Sequence, residues 1–184
     1  MTVCTAFIGT ERLARGPLTA VALAVRAALA RDPAASILTF DDATGRVIDL
    51  DLRGSEADVV ARLIPPPEDQ PARSRGRPKL GVVAREVTLL PRHWEWLAKQ
   101  PGGASQALRR LVDDARRRDG GQNEQRLAQE TAYRFLSAMA GNLPGFEEAT
   151  RALFANDAAR FAQHSAPWPA DIREHAQTLA WTAA

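Results

Sequence analysis

Apolar and polar positions along this chain switch between two periods, and each switch marks an element. The short apolar run Val3-Cys4-Thr5-Ala6-Phe7-Ile8, closed by Gly9-Thr10, predicts a strand and a turn. Arg12-Leu13-Ala14 predicts a returning strand before Gly16-Pro17. Pro17 suits a first helical turn, and Leu18, Val21, Ala22, Val25, Ala28 and Leu29 then share one helical face. Asp32-Pro33 stops that helix, because the residue before a proline is pushed out of the helical region. Residues 37–40 and 47–52 flank the turn Ala43-Thr44-Gly45 and predict a hairpin. Ser55 starts a further helix through Leu63, with Asp58 in capping-box position.

Residues 1–64 therefore read as a small α+β domain. A linker and arm follow over 65–81. Its prolines, Pro65-Pro66-Pro67 and Pro71, favour a semi-rigid extended spacer, and it ends in Arg75-Gly76-Arg77-Pro78-Lys79. Over 82–118 the pattern predicts a strand, a helix, a glycine turn and a second helix. Leu90, Trp94, Leu97 and Ala98 repeat at helical spacing after Pro91, and Pro101-Gly102-Gly103 ends that helix. Ser105 is the expected N-cap of the next, in which Leu108, Leu111, Val112 and Ala115 face inward. Residues 122–184 read as a helical region. Leu127, Thr131, Phe135 and Ala138 mark its first helix, which Gly141-Asn142-Leu143-Pro144-Gly145 breaks. Phe146, Ala149, Leu153 and Phe161 belong to later helices, and Trp168-Pro169 opens a last one with Ile172, Ala176 and Leu179.

Composition adds little until charge is mapped along the chain. The 184 residues carry a net charge of +2, but residues 72–118 hold 12 Lys/Arg against 4 Asp/Glu, and the remainder is net −6. A basic segment between acidic flanks is the footprint of an anion-binding module. A solvated arginine-rich surface is the alternative. One cysteine, Cys4, excludes a disulfide framework and a multi-cysteine zinc site, and it reads as an inert buried thiol. Residues 3–8 are too short for the apolar core of a signal peptide, and the longer apolar run at 18–30 is interrupted by Arg26, so a cytoplasmic protein without membrane contact is expected.

Catalytic chemistry is thinly represented. His93, His164 and His175 form no ligand pair at helical spacing, and no nucleophile elbow or phosphate loop is present. No enzyme and no cofactor are expected. The one alternative is a divalent-cation site built from Asp41, Asp42, Asp49 and Asp51 across the hairpin, against which stands an ordinary solvent face neutralised by Arg46 and Arg53.

Two resemblances bear on function. Val87-Thr88-Leu89, Leu90-Pro91-Arg92-His93-Trp94, Gly102-Gly103-Ala104-Ser105 and Ala107-Leu108-Arg109-Arg110-Leu111-Val112 resemble the ribbon-helix-helix DNA-binding family. That resemblance implies a homodimer in which two strands pair into a ribbon that enters the major groove of double-stranded DNA. It also implies that the second helix presents its start, here at Ser105, to phosphate. Strand alternation then turns Val87 and Leu89 into the dimer core with Trp94, Leu97, Leu108, Leu111 and Val112. Glu86 and Thr88 turn outward, beside Arg85 and Arg109 as further DNA contacts. The family's outward positions are usually basic or amide-bearing, whereas Glu86 would act as an acceptor for cytosine. Arg75-Gly76-Arg77-Pro78, with Lys79, resembles an AT-hook, whose glycine lets the backbone approach the minor-groove floor.

The order of blocks along the whole chain also resembles an uncharacterised bacterial domain family. The blocks are the α/β start, the Gly-Arg-Pro-Lys arm, the Trp94-Glu95-Trp96 helix and the helical end with Phe146-Glu147-Glu148-Ala149. The expectation is thus an α+β protein acting as a dimeric DNA-binding transcriptional regulator, with its C-terminal helices open to a protein partner. A dimeric protein-interaction module without DNA binding is the alternative.

Overall fold

The computed structural model describes residues 3–64 and 85–181. The chain is α+β and divides into two compact units, residues 1–66 together with 123–184, and residues 67–122. In the first unit β1 (Val3–Ile8) and β2 (Glu11–Pro17) form a hairpin, followed by α1 (Leu18–Arg31), β3 (Ile37–Asp41), β4 (Val47–Ile48) and α2 (Glu56–Leu63). The sheet is antiparallel in the order β2-β1-β3-β4. Helices α5 (Gln122–Met139), α6 (Phe146–Phe154), α7 (Ala158–His164) and α8 (Ala170–Trp181) complete the unit.

Successive side chains of a strand point to opposite faces, and β1 uses both. Cys4 and Ala6 pack on Val21 and Val25 of α1. Phe7, with Phe40 of β3, packs on Ala132, Phe135 and Leu136 of α5 and on Ile172 and Ala176 of α8. A central strand covered on both faces reads as a continuous apolar run rather than an alternating one. Residues 1–64 and 122–184, expected as separate regions, share this core.

Local chemistry sets most element ends as expected. α1 stops at Arg31 with Asp32 as its C-cap, and Ser55 and Asp58 form the reciprocal capping box of α2. Two expectations are corrected. The strand over 47–52 ends at Ile48, because Leu50 and Leu52 turn toward the α1 cluster and Arg62 donates to the Asp51 carbonyl at 3.0 Å. In α5, Leu127 and Ala138 are exposed, and the buried face carries Gln129, Thr131, Ala132, Phe135 and Leu136. Gln129 can sit there because its side-chain amide donates to the Leu153 carbonyl at 2.9 Å.

Gly45 closes the β3–β4 turn at φ +68°, and a Cβ there would run into the Thr131 carbonyl of α5. Gly45→Ala is therefore expected to lower stability by roughly 2–3 kcal/mol, read from the urea midpoint. A loss under about 0.5 kcal/mol would show that the turn can move off α5 freely.

The second unit contains α3 (Pro91–Ala98), with proline in its first turn, and α4 (Gly103–Asp119). Leu97 and Ala107 are its buried apolar residues.

Candidate functional site

In the second unit, Arg85 to Leu90 leads into α3 without regular secondary structure, so the strand expected over 83–89 is not formed across its described part. A strand is held by the ladder to its neighbour, and no ladder is present here in the single chain. Arg85, Glu86, Val87 and Thr88 are exposed and Leu89 is half-buried. Gly102, at φ +80°, caps α4, and a Cβ on it would meet the Gln106 side chain. Ser105 lies inside α4 and is not the expected cap, because the left-handed glycine turn lets the helix begin three residues earlier, with Gly102 as its cap. Ser105 and Arg109 are both exposed.

The apolar residues of this unit are poorly covered. Leu97 is buried and Leu108 half-buried, but Val87, Leu90, Trp94, Trp96, Leu111 and Val112 are 41–56% exposed. Arg85, Arg92, Lys99 and Arg109 have no ion-pair partner among the described residues, whereas Arg117 pairs with Asp114. The arm residues Arg75, Gly76, Arg77 and Lys79 lie outside the described residues.

The first unit holds a polar cluster that sequence spacing did not bring together. Thr5, on the same face of β1 as Phe7, donates from its hydroxyl to Asp42 at 2.8 Å, and Arg15 of β2 donates to the other carboxylate oxygen at 3.0 Å. His175 of α8 lies between the rings of Phe7 and Phe135, with centroids 5.4 and 4.7 Å away. Its Nε2 is buried without a hydrogen-bond partner, 3.6 Å from Asp42. Burial holds its pKa at about 4, below the ordinary 6.5. Asp42 pulls upward, while Arg15 and Arg12 add to the depression. The available signal was His175 falling in phase with Ile172, Ala176 and Leu179 on the apolar face of α8.

The hairpin carboxylates are dispersed among their own neighbours. Asp41 accepts from the Ala43 amide in a local turn, and Asp42 belongs to the cluster with Thr5. Asp51 pairs with Arg53 at 2.8 Å and Arg62 at 3.6 Å, and the Arg53 hydrogen bond holds its carboxyl well below the usual range. Asp49 lies past the end of β4. Among the described residues no three His, Cys, Asp or Glu side chains gather as a metal site. Cys4 is buried, which raises its pKa, and Asp41 and Asp42 raise it further.

A family model described as "Uncharacterized protein conserved in bacteria (DUF2239)" matches residues 3–180. The chain belongs to this family. The match takes in the β-sheet, the second unit and all four C-terminal helices of this DUF2239 protein except the last residue of α8. No curated protein and no solved structure matches it. Among its described residues no helix is long and apolar enough to cross a membrane.

Proposed function

We propose that this DUF2239 protein is a cytoplasmic, dimeric DNA-binding transcriptional regulator. Two copies pair through residues 85–112, and the basic arm at Arg75, Arg77 and Lys79 holds the duplex. The observation that carries this reading is the uncovered apolar set of the second unit: Val87, Leu90, Trp94, Leu111 and Val112 are left open beside cations without partners. Two helices with only two buried apolar residues, Leu97 and Ala107, among those described gain little stability alone, and a second copy laid on that set would supply the missing burial. The arginines that remain outside would then face phosphate.

Sedimentation and duplex-binding titrations at two salt concentrations test both parts. The chain should sediment as a dimer, and Val112→Asp should shift it to monomer. The log–log salt slope should be about −0.9 per phosphate contact, so removing residues 72–80 should flatten it by roughly 2–4. A monomer that binds no duplex at low salt sinks the proposal.

A second reading, a protein-interaction module, is favoured by the exposed pair Tyr133 and Phe154 on α5 and α6, with ring centroids 5.4 Å apart. It gains ground if the 72–80 deletion leaves partner capture and DNA affinity both unchanged.

A further inference from the structure

Trp96 is not accounted for by the packing of the second unit. Leu97, the residue next to it, is buried, and Trp96 itself is 50% exposed. At 3.6 residues per turn, Arg92, Trp96 and Lys99 follow one another at i, i+4 and i+7 and form one stripe. That stripe lies on the side of α3 turned away from Leu97. Leu90, Trp94 and Leu97 occupy the other side, the one that the dimer reading covers. Arg92 and Lys99 are exposed. Glu95, at i+3 from Arg92 and i−4 from Lys99, makes no ion pair with either. A half-exposed indole between two uncompensated cations, one turn apart on each side, offers a ring face and two phosphate partners together.

We propose that Arg92, Trp96 and Lys99 form a contact site for a nucleic-acid strand with unpaired bases. The Trp96 ring stacks on one base, and the two cations meet the flanking phosphates. Bases inside a duplex have their faces covered by their neighbours and cannot take such a ring. The ligand class is therefore single-stranded or locally opened nucleic acid, bound with little sequence preference, because every base has a π-face. The inference rests on the nucleic-acid reading above for the charge of the ligand. It adds a surface on the side opposite the dimer set.

The test is fluorescence anisotropy of the full chain with labelled oligothymidylate and, in parallel, a labelled duplex at low salt. The unmodified chain should bind oligothymidylate. Trp96→Ala should weaken that binding about tenfold and leave the duplex affinity unchanged, while Trp96→Phe should retain most of it. Circular dichroism of both variants should match the unmodified chain, since the side chain is at the surface. If the unmodified chain does not bind oligothymidylate, or binds it no better than Trp96→Ala does, the proposal is overturned. Duplex binding with no effect of Trp96→Ala on oligothymidylate removes this site and leaves the regulator reading standing. Oligothymidylate binding that depends on Trp96, with no duplex binding, does the reverse.

Discussion

Replacing Phe135 with alanine is expected to lower stability by about 3–5 kcal/mol, a large share of the roughly 5–15 kcal/mol that a domain of this size holds. Phe135 is fully buried, and its ring meets Phe40 at 4.9 Å, Phe7 at 5.3 Å and His175 at 4.7 Å. These contacts come from two strands and a helix at opposite ends of the chain. The cavity cannot close by moving one side chain, because the sheet and α8 hold the others in place. Urea unfolding followed by far-UV circular dichroism gives the loss. The sheet and the C-terminal helices should melt in one step, since they share this core. Phe154→Ala, at an exposed position, should cost under about 1 kcal/mol. A loss below about 1.5 kcal/mol for Phe135→Ala, or separate transitions for the two halves, would refute the shared-core description.

The second large effect is expected in acid. His175 titrates near 6.5 in the unfolded chain and at about 4 in the folded one, where burial disfavours its charged form. Above pH 6.5 it is neutral in both states, and its full contribution to stability is present. As the pH falls below 6.5, the unfolded chain takes up a proton that the folded chain refuses, so stability is lost progressively. The loss should reach about 2 kcal/mol at pH 5 and about 3 kcal/mol near pH 4. His175→Phe keeps an aromatic ring between Phe7 and Phe135 and removes the titration. Its urea midpoint should therefore change much less between pH 7 and pH 5 than that of the unmodified chain. Parallel curves for the two proteins over that interval would rule out His175 as the acid-sensitive group.

What the sequence made legible follows the range of the forces involved. Elements set by near neighbours were readable: the β3–β4 turn at residues 43–45, the stop at Asp32-Pro33, the Ser55–Asp58 box and the proline start of α3. Each depends on groups a few residues apart. The joining of residues 1–64 with the last four helices was not readable from periodicity, because nothing local to Phe7 encodes Phe135. The unbroken apolar run of β1 was the available hint of two covered faces. Ser105 was misplaced because capping preference favours serine, while two left-handed glycines just before it already begin the helix. Gln129 was overlooked because its polarity masks a buried position that the Leu153 carbonyl satisfies. For the candidate site, four of the seven positions that the ribbon-helix-helix resemblance assigns to a second copy, Val87, Trp94, Leu111 and Val112, are exposed, while Leu97 is buried and Leu89 and Leu108 are half-buried. The proposed pairing with a second copy would be a property of two chains, so neither one sequence nor one chain could display it.

The order of the units along the chain also sets the order in which they can be completed during synthesis. Phe7 and Phe40 leave the ribosome early, but the side chains that cover them, on α5 and α8, come about a hundred residues later, after the whole second unit. At bacterial elongation rates that is a wait on the order of ten seconds. Throughout it, one face of the nascent sheet has no partner, while the second unit is being made. An apolar face left open for that long is prone to aggregation until α5 and α8 arrive. Premature termination near residue 121 would release a chain whose aromatic face has nothing to cover it.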